Sequence, residues 1–451
     1  MAERSQPRMD KDHPVKVALV GGGSMGFTRA LATDILSYEE MSGARLSLID
    51  INEQRLAYAK RGVERIIRAG GYPATVEATT DRAAGLEGAD VVTCAILAHG
   101  VDGFRPEIEI PMRCGVDYCV GDSYGIPGVF RGLRTIPIML DICRDIERYA
   151  PDAYLLNYTN PMAMLCRAMQ RATSVKVVGL CHSVQGMTWD LTDMLEIDDD
   201  DVITVCAGLN HQAWVLRFER NGQDLYPLLR EAIKRPEVYR RDIVRNEMFL
   251  ALGYYVTESS GHNSEYTWWF RKRPQLIEEC CHRGERGITG RHGHTLAQYD
   301  RAAGTWEREM RDWAQGRTPI KLERSHHYAA GIIRALLFDR KREFNGNVAN
   351  TGLITNLPEG CCVEVPVVAE KSGLSPVHVG ALPPQCAALN QINTTVVELA
   401  VQAALTGDPK PVYHACYHDP VAAAVCALAE IREIVDELFR VQAPLLPQFK
   451  R

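Results

Sequence analysis

The apolar run Val15-Lys-Val-Ala-Leu-Val20 breaks at Gly21-Gly-Gly23-Ser24-Met25-Gly26, and helix-compatible sequence resumes from Phe27 to about Leu36. No other feature narrows the fold as much. A short strand that ends on Gly-x-Gly-x-x-Gly and continues as a helix is the opening of a dinucleotide-binding βαβ unit. The glycines permit the tight turn, let backbone approach a pyrophosphate, and allow close helix–strand packing, while the helix N-terminus offers free N–H groups to the phosphates. Ala44-Arg-Leu-Ser-Leu-Ile-Asp50 follows and ends on a carboxylate, about 24 residues beyond Gly26, where an acid grips the ribose hydroxyls of NAD. The expected cofactor set is therefore Gly21, Gly23, Ser24, Met25, Gly26 and Asp50. NAD is favoured over NADP because a carboxylate repels a 2′-phosphate.

The same rhythm continues. Asp90–Leu97, Ala153–Asn157 and Val175–Leu180 read as buried strands, with helical stretches at Glu53–Ala69 and Arg134–Tyr149 between them. Alternation of this kind implies a parallel, doubly wound Rossmann-type sheet in an α/β chain. Beyond roughly residue 205 the pattern changes to charged helical sequence, an Arg- and His-rich stretch from Arg271 to Arg317, strand-like sequence from Val348 to Val379, and a helical tail. At 451 residues the chain exceeds one compact core. The expected division is a polar N-terminal segment over 1–14, an NAD-binding domain over 15–205 and a mixed α+β lobe over 206–451.

Partners are narrowed by charge and hydropathy. A net charge of -6 argues against nucleic acid, which requires clustered basic surface. No stretch approaches the roughly 18 apolar residues of a membrane span. The polar N-terminus lacks an apolar signal-peptide region. Fourteen cysteines, several in apolar runs (Cys94, Cys166, Cys426), read as reduced, buried small hydrophobes in a cytoplasmic protein.

Three further motifs fall at expected strand ends. Asn160-Pro161 stands where an open sheet presents its ligand crevice, though alone it is also a plain turn. Cys181-His182 ends the next strand, and Asn210-His211 follows Val202–Ala207. A thiol and an imidazole cannot close a structural zinc site, which takes four ligands, but they suit an open site completed by substrate oxygens. Gly121-Asp-Ser-Tyr-Gly-Ile-Pro-Gly128 reads as a glycine-rich loop, and Asp122, Arg131 and Arg134 in and after it suit hydroxyl and anion recognition. Cys280-Cys281-His282 and Cys361-Cys362 lack partners at zinc spacing and read as structural. His292-Gly-His294 and His326-His327 lie in polar sequence and read as surface or interface residues.

Together these segments resemble glycoside hydrolase family 4, the NAD- and metal-dependent glycosidases, over nearly the whole chain, and within it the melibiase-type α-galactosidases. The segments carrying the likeness are Gly179-Leu-Cys-His-Ser-Val-Gln-Gly186, Phe130-Arg-Gly-Leu-Arg-Thr-Ile-Pro137, Tyr255-Val-Thr-Glu-Ser-Ser260 with Glu265-Tyr266, Asn356–Val365 and Val412-Tyr-His-Ala415. The resemblance implies Cys181 and His211 as ligands of a divalent metal, usually Mn2+. It implies Asn160 at the substrate, where the loop reading also puts Asp122 and Arg134, and His182 as candidate acid at the glycosidic oxygen. His182 stands where the family's phospho-glycosidases carry an aspartate, which argues against a sugar phosphate. Tyr266 resembles the family's tyrosine base, with Glu258 and Glu265 as alternatives.

The implied chemistry differs from two-carboxylate glycoside hydrolysis. Hydride leaves C3 for NAD, the resulting ketone acidifies the C2 proton, and a base removes it while the metal stabilises the enediolate. The aglycone departs from C1, water adds, and the hydride returns. An α-galactoside is the expected substrate, with α-glucosides and α-glucuronides or α-galacturonides as alternatives within the family. A 2-hydroxy-acid dehydrogenase is a more distant alternative, disfavoured because its catalytic histidine motif is missing. A homodimer or homotetramer is expected from the family likeness.

Overall fold

The computed structural model describes residues 14–281 and 290–449. Its twelve strands are β1 (Lys16–Val20), β2 (Arg45–Ile49), β3 (Thr75–Thr79), β4 (Val91–Cys94), β5 (Tyr154–Asn157), β6 (Lys176–Gly179), β7 (Val202–Leu209), β8 (Gln212–Arg220), β9 (Gln223–Asp224), β10 (Arg342–Ala349), β11 (Cys362–Glu370) and β12 (Gly373–Pro376). They form one sheet in the order β3-β2-β1-β4-β5-β6-β10-β11-β7-β8-β9, with β12 paired to β11. The first six strands are parallel and have the strand order of a doubly wound dinucleotide fold. From β10 onward the pairing is antiparallel.

The apolar runs form strands because helices cover both faces. β1 and β4 are buried at every residue, as a parallel sheet requires. β3, Thr75-Val-Glu-Ala-Thr79, escaped the sequence reading because an edge strand needs no apolar run. The second lobe continues the same sheet instead of starting its own. β6 hands over to β10 where Gly179 faces Asn347, and the expected boundary at 205/206 falls inside β7.

One helix starts earlier than the expected Arg134. It runs from Gly125 to Tyr149, so the expected glycine-rich loop is partly its first turn. The reason is long-range: the carboxylate of Asp419 accepts the Ile126 N–H at 2.8 Å and occupies the positive end of that helix. Further along, Arg134 is sealed against Glu107 of helix Gly100–Met112, both side chains fully buried, at 2.7 Å from Nε to Oε1. Gln442 donates to the same Glu107 oxygen at 2.9 Å, tying in the C-terminal helix Leu428–Gln442.

Tertiary contacts also shape the glycine turn. Gly21 has φ +86°, and a Cβ there would fall 2.1 Å from the Ala95 carbonyl oxygen, so only glycine fits. Gly26 departs from the expected reason for its presence. Nothing lies within 4 Å of where its Cβ would be, so close helix–strand packing is not what it serves.

No helix among the described residues is long and apolar enough to cross a membrane. Cys94 and Cys166 are fully buried, as expected, whereas Cys426 is only partly so.

Candidate active site

The segments after β5 and β6 and the turn between β7 and β8 converge on a cavity of about 520 Å³. Asp122, Asn160, Cys181, His182 and His211 all line it, as do Glu258 and His262. Asn160 follows β5, Cys181 and His182 follow β6, and His211 is the second residue of the two-residue turn joining β7 to β8. This is the carboxyl-end crevice of an open α/β sheet.

Side-chain donors of Cys181, His211 and Glu258 lie within 4.8 Å of one another, and so do those of Asp122, His211 and His262. His211 belongs to both groups. Its Nε2 is 3.9 Å from Glu258 and its Nδ1 is 3.9 Å from Asp122. His211 and Glu258 both hold left-handed backbone, at φ +63° and +68°. Side-chain-bearing residues tolerate that region at a cost of about 1–3 kcal/mol and do so mostly at functional sites.

Hydrogen bonding bears on which nitrogen of His211 would be open to a cation. The Ser123 hydroxyl lies 2.7 Å from Asp122 Oδ1 and 2.8 Å from His211 Nδ1. A carboxylate only accepts, so the hydroxyl proton goes to Asp122 and Ser123 accepts from Nδ1–H. That leaves the Nε2 lone pair for a cation. Asn160 Nδ2 donates to the other Asp122 oxygen at 3.1 Å, and its own Oδ1 is buried with no hydrogen-bond partner.

The electrostatics call for a positive charge at this point. Burial pulls the His211 imidazole down, yet Cys181, Glu258 and Asp122 outweigh it and hold the ring well above its ordinary value. Burial raises Glu258 and Asp122, but nearby imidazoles bring both below the ordinary carboxylate range. A soft sulfur, an imidazole and a carboxylate within reach of one another suit a divalent transition metal with open positions. His182 differs: burial and then the neighbouring His327 push it down to about 4, so it stands neutral.

The nucleotide turn is equally well formed. Asp50 Oδ2 accepts the Gly23 N–H at 3.0 Å and its Oδ1 accepts from Asn52, leaving lone pairs on both oxygens for ribose hydroxyls. Ser24 caps the helix Met25–Leu36, whose opening turn includes Gly26 beside open space, where backbone could meet a pyrophosphate. These residues fit NAD.

Several expected site residues are not part of the cavity lining. Arg134, expected at the substrate, is spent on Glu107 and the Ala98 carbonyl and does not line the cavity. Arg131 is buried against the rings of Phe104 and Tyr299. Glu265 accepts from the backbone amides of Cys119, Val120 and Gly121, so it holds the loop that carries Asp122 and is not poised as a base. The Tyr266 hydroxyl sits behind His211, 3.4 Å from its Nδ1. His327, expected at the surface, packs within 4.5 Å of His182, ring centre to ring centre. His292 meets Asp117 at 3.5 Å. His282 lies outside the described residues.

His262 and Ser123 were missed by sequence reasoning. Glu258-Ser-Ser-Gly-His262 places a carboxylate just before helix Ser260–Glu265 and an imidazole in its first turn, 3.4 Å apart, and both residue types stand close together in the sequence. Ser123 had no such signal.

Residues 16–197 match the family described as Family 4 glycosyl hydrolase, and residues 206–422 match its C-terminal domain. An α-galactosidase of Bacillus subtilis (strain 168) is 38% identical over 446 residues, covering 96% of this chain and 100% of its own. An α-galactosidase of Rhizobium meliloti (strain 1021) is 36% identical over 439 residues, covering 96% and 89%. Among solved structures, a 6-phospho-α-glucosidase from gut microorganisms in complex with NAD and Mn2+ superimposes with a TM-score of 0.81 at 20% identity. That match covers 97% of this chain and all of the other, and so shares the fold.

Proposed function

The chain belongs to family 4 of the glycosyl hydrolases, and from that premise we propose that it is an α-galactosidase dependent on NAD and a divalent metal, acting on unphosphorylated substrates. Relatives that are α-galactosidases at 38% and 36% identity support the sugar. The observation that carries the neutral-substrate reading is the state of Arg245. Among the described residues it is the only lysine or arginine lining the cavity, and it is bound to both Asp190, at 2.7 Å, and Asp242. A phosphate or uronate needs an unspent cation, and this one is matched by two carboxylates. Asp122 and Glu258 add further negative charge to the same walls.

Cys181, His211 and Glu258 would hold the metal, and the turn Gly21–Gly26 with Asp50 would hold the nucleotide. When bound, NAD supplies a reversible hydride acceptor and the metal supplies Lewis-acid polarisation. The chain's own residues do the rest. Asn160 and Asp122, joined by their hydrogen bond, present an amide oxygen and a carboxylate to sugar hydroxyls. Tyr266 is read as the base for the C2 proton, because Glu258 groups with the metal donors and Glu265 is committed to backbone amides. His182 is read as the group beside the glycosidic oxygen, where its N–H meets the leaving group. Fourteen free cysteines fit a reducing, cytoplasmic setting, and a homo-oligomer is the reading for assembly.

The test is a panel of aryl α-glycosides assayed with NAD, Mn2+ and a reductant. Aryl α-galactoside should be cleaved fastest, well above the α-glucoside, α-galacturonide and any 6-phosphorylated sugar. Preference for a phosphorylated sugar, or full activity in enzyme stripped of nucleotide and treated with chelator, would sink the reading.

A further inference from the structure

The family chemistry leaves a second imidazole at the site without a role. His327, from the segment before helix Ala329–Phe338, has its ring centre 4.5 Å from that of His182, with the planes at 72°. The two rings share an aromatic box. Tyr158 stacks on His182 at 5.7 Å with planes 10° apart, and Phe27, just after the glycine turn, packs on His327 at 5.2 Å. Inside the box, His182 Nε2 and His327 Nδ1 are both buried and have no hydrogen-bond partner. Buried polar atoms normally have a partner, so unpaired ones on touching rings are unexpected unless they serve each other or a ligand.

Of the other polar groups in contact with His182, the Tyr158 hydroxyl is also buried without a partner, whereas the Tyr328 hydroxyl is engaged. The Tyr328 hydroxyl donates to the Cys181 carbonyl at 2.6 Å. His327 in turn is held from behind. Its backbone N–H donates to Ser325 Oγ at 3.1 Å, and Ser325 donates through its N–H and its hydroxyl to the two oxygens of buried Asp34, at 2.7 and 2.5 Å. Asp34 lies on the helix Met25–Leu36 that begins at the nucleotide turn. The ring beside His182 is thus anchored to the cofactor-binding helix.

We propose that His327 is a positioning residue for His182: the unpartnered nitrogens of these touching rings pair when substrate is bound, and that bond decides which nitrogen of His182 presents N–H to the glycosidic oxygen. The inference rests on the reading of His182 as the group beside that oxygen. In the step it serves, the C1–O bond breaks with its electron pair going to oxygen. The neutral His182 N–H hydrogen-bonds that oxygen as it departs, and the water that next adds at C1 gives its OH to carbon and its proton to the departing oxygen.

His327→Phe keeps an aromatic ring in the box and removes both nitrogens. The readout is kcat on two α-galactosides, one with an alkyl or sugar leaving group that departs only with a hydrogen-bond donor at its oxygen, and one with 4-nitrophenol, which departs as the anion. The expected result is a loss of roughly tenfold or more in kcat on the alkyl substrate, at little changed KM, with a much smaller loss on the aryl one. His182→Phe should show the same discrimination, and the double variant should be no worse than His182→Phe alone. His327→Gln, which restores a hydrogen-bonding group, should recover part of the loss and guards against a His327→Phe protein that fails to fold. Wild-type rates on both substrates, or equal losses on both, would overturn the proposal. If His182→Phe itself treats the two leaving groups alike, the reading of His182 falls and this inference falls with it.

Discussion

The hydroxyl of Ser123 lies 2.8 Å from Nδ1 of His211, whereas Glu258 faces the ring's other nitrogen at 3.9 Å. Ser123 donates to Asp122 and accepts from the ring, so it fixes the tautomer that leaves Nε2 free for a metal. Ser123→Ala should weaken Mn2+ binding by about 10–100-fold while leaving the thermal midpoint nearly unchanged. Isothermal titration of metal into the chelator-treated protein measures this. An unchanged affinity would show that the ring is oriented by its backbone turn alone.

Cys181→Ser preserves size and replaces a soft thiolate with a hydroxyl that scarcely ionises. Metal retention after gel filtration should be lost and hydrolysis with it. NAD binding should persist, because Gly21, Gly23, Gly26 and Asp50 are untouched. If the variant keeps its metal and full rate, Cys181 is only a core cysteine.

Arg134→Ala separates fold from site. It strands the Glu107 carboxylate in the core, where both side chains are fully buried, and breaking such a pair costs about 3–5 kcal/mol. Denaturant unfolding should show that loss, while KM for an aryl α-galactoside stays unchanged in the folded fraction. A large rise in KM without loss of stability would return Arg134 to the substrate site.

Glu364 gives a pH dependence with a definite sign. Buried on β11, with Asn210 Nδ2 at 3.5 Å and Oε1 unpartnered, its carboxyl is pushed up to about 7 by burial, which His211 and Asn210 only partly offset. A carboxyl raised in the folded state above its unfolded value stabilises the fold below the unfolded pKa. That contribution is lost as pH rises through the folded pKa. Between about pH 4.5 and 7 this group should therefore remove about 3 kcal/mol. Glu364→Gln keeps an acceptor for Asn210 and removes the ionisation. Its unfolding midpoint should fall less than the wild type's across that range; parallel curves would show that the carboxyl is not burdened by its burial.

Which parts of this molecule could be read in the sequence follows from the range of the forces involved. Strands β1, β2, β4, β5 and β6 and the nucleotide turn were legible because burial on both faces writes apolar runs and a tight turn demands glycine at Gly21. Cys181 and His182 could be placed because they follow β6 directly. Arg134 misled, since nothing local tells an arginine at a ligand from one sealed against a carboxylate 27 residues earlier. His327 misled in the opposite direction. The polar sequence around it suggests surface, while Asp34, almost 300 residues before it, draws its segment into the site.

By itself, then, the sequence determined the doubly wound nucleotide half, the carboxylate of Asp50 beside the glycine turn and the placing of Cys181 and His211 at the crevice, because each lies within a few residues of a strand end. Tertiary structure alone decided that the second lobe extends the same sheet and that Glu258 and His262 close around His211. It also set the helix at Gly125 starting under Asp419, and brought His327 to His182. Those arrangements depend on pairing between segments far apart in the chain, and such pairing satisfies buried polar groups only once the whole sheet has formed.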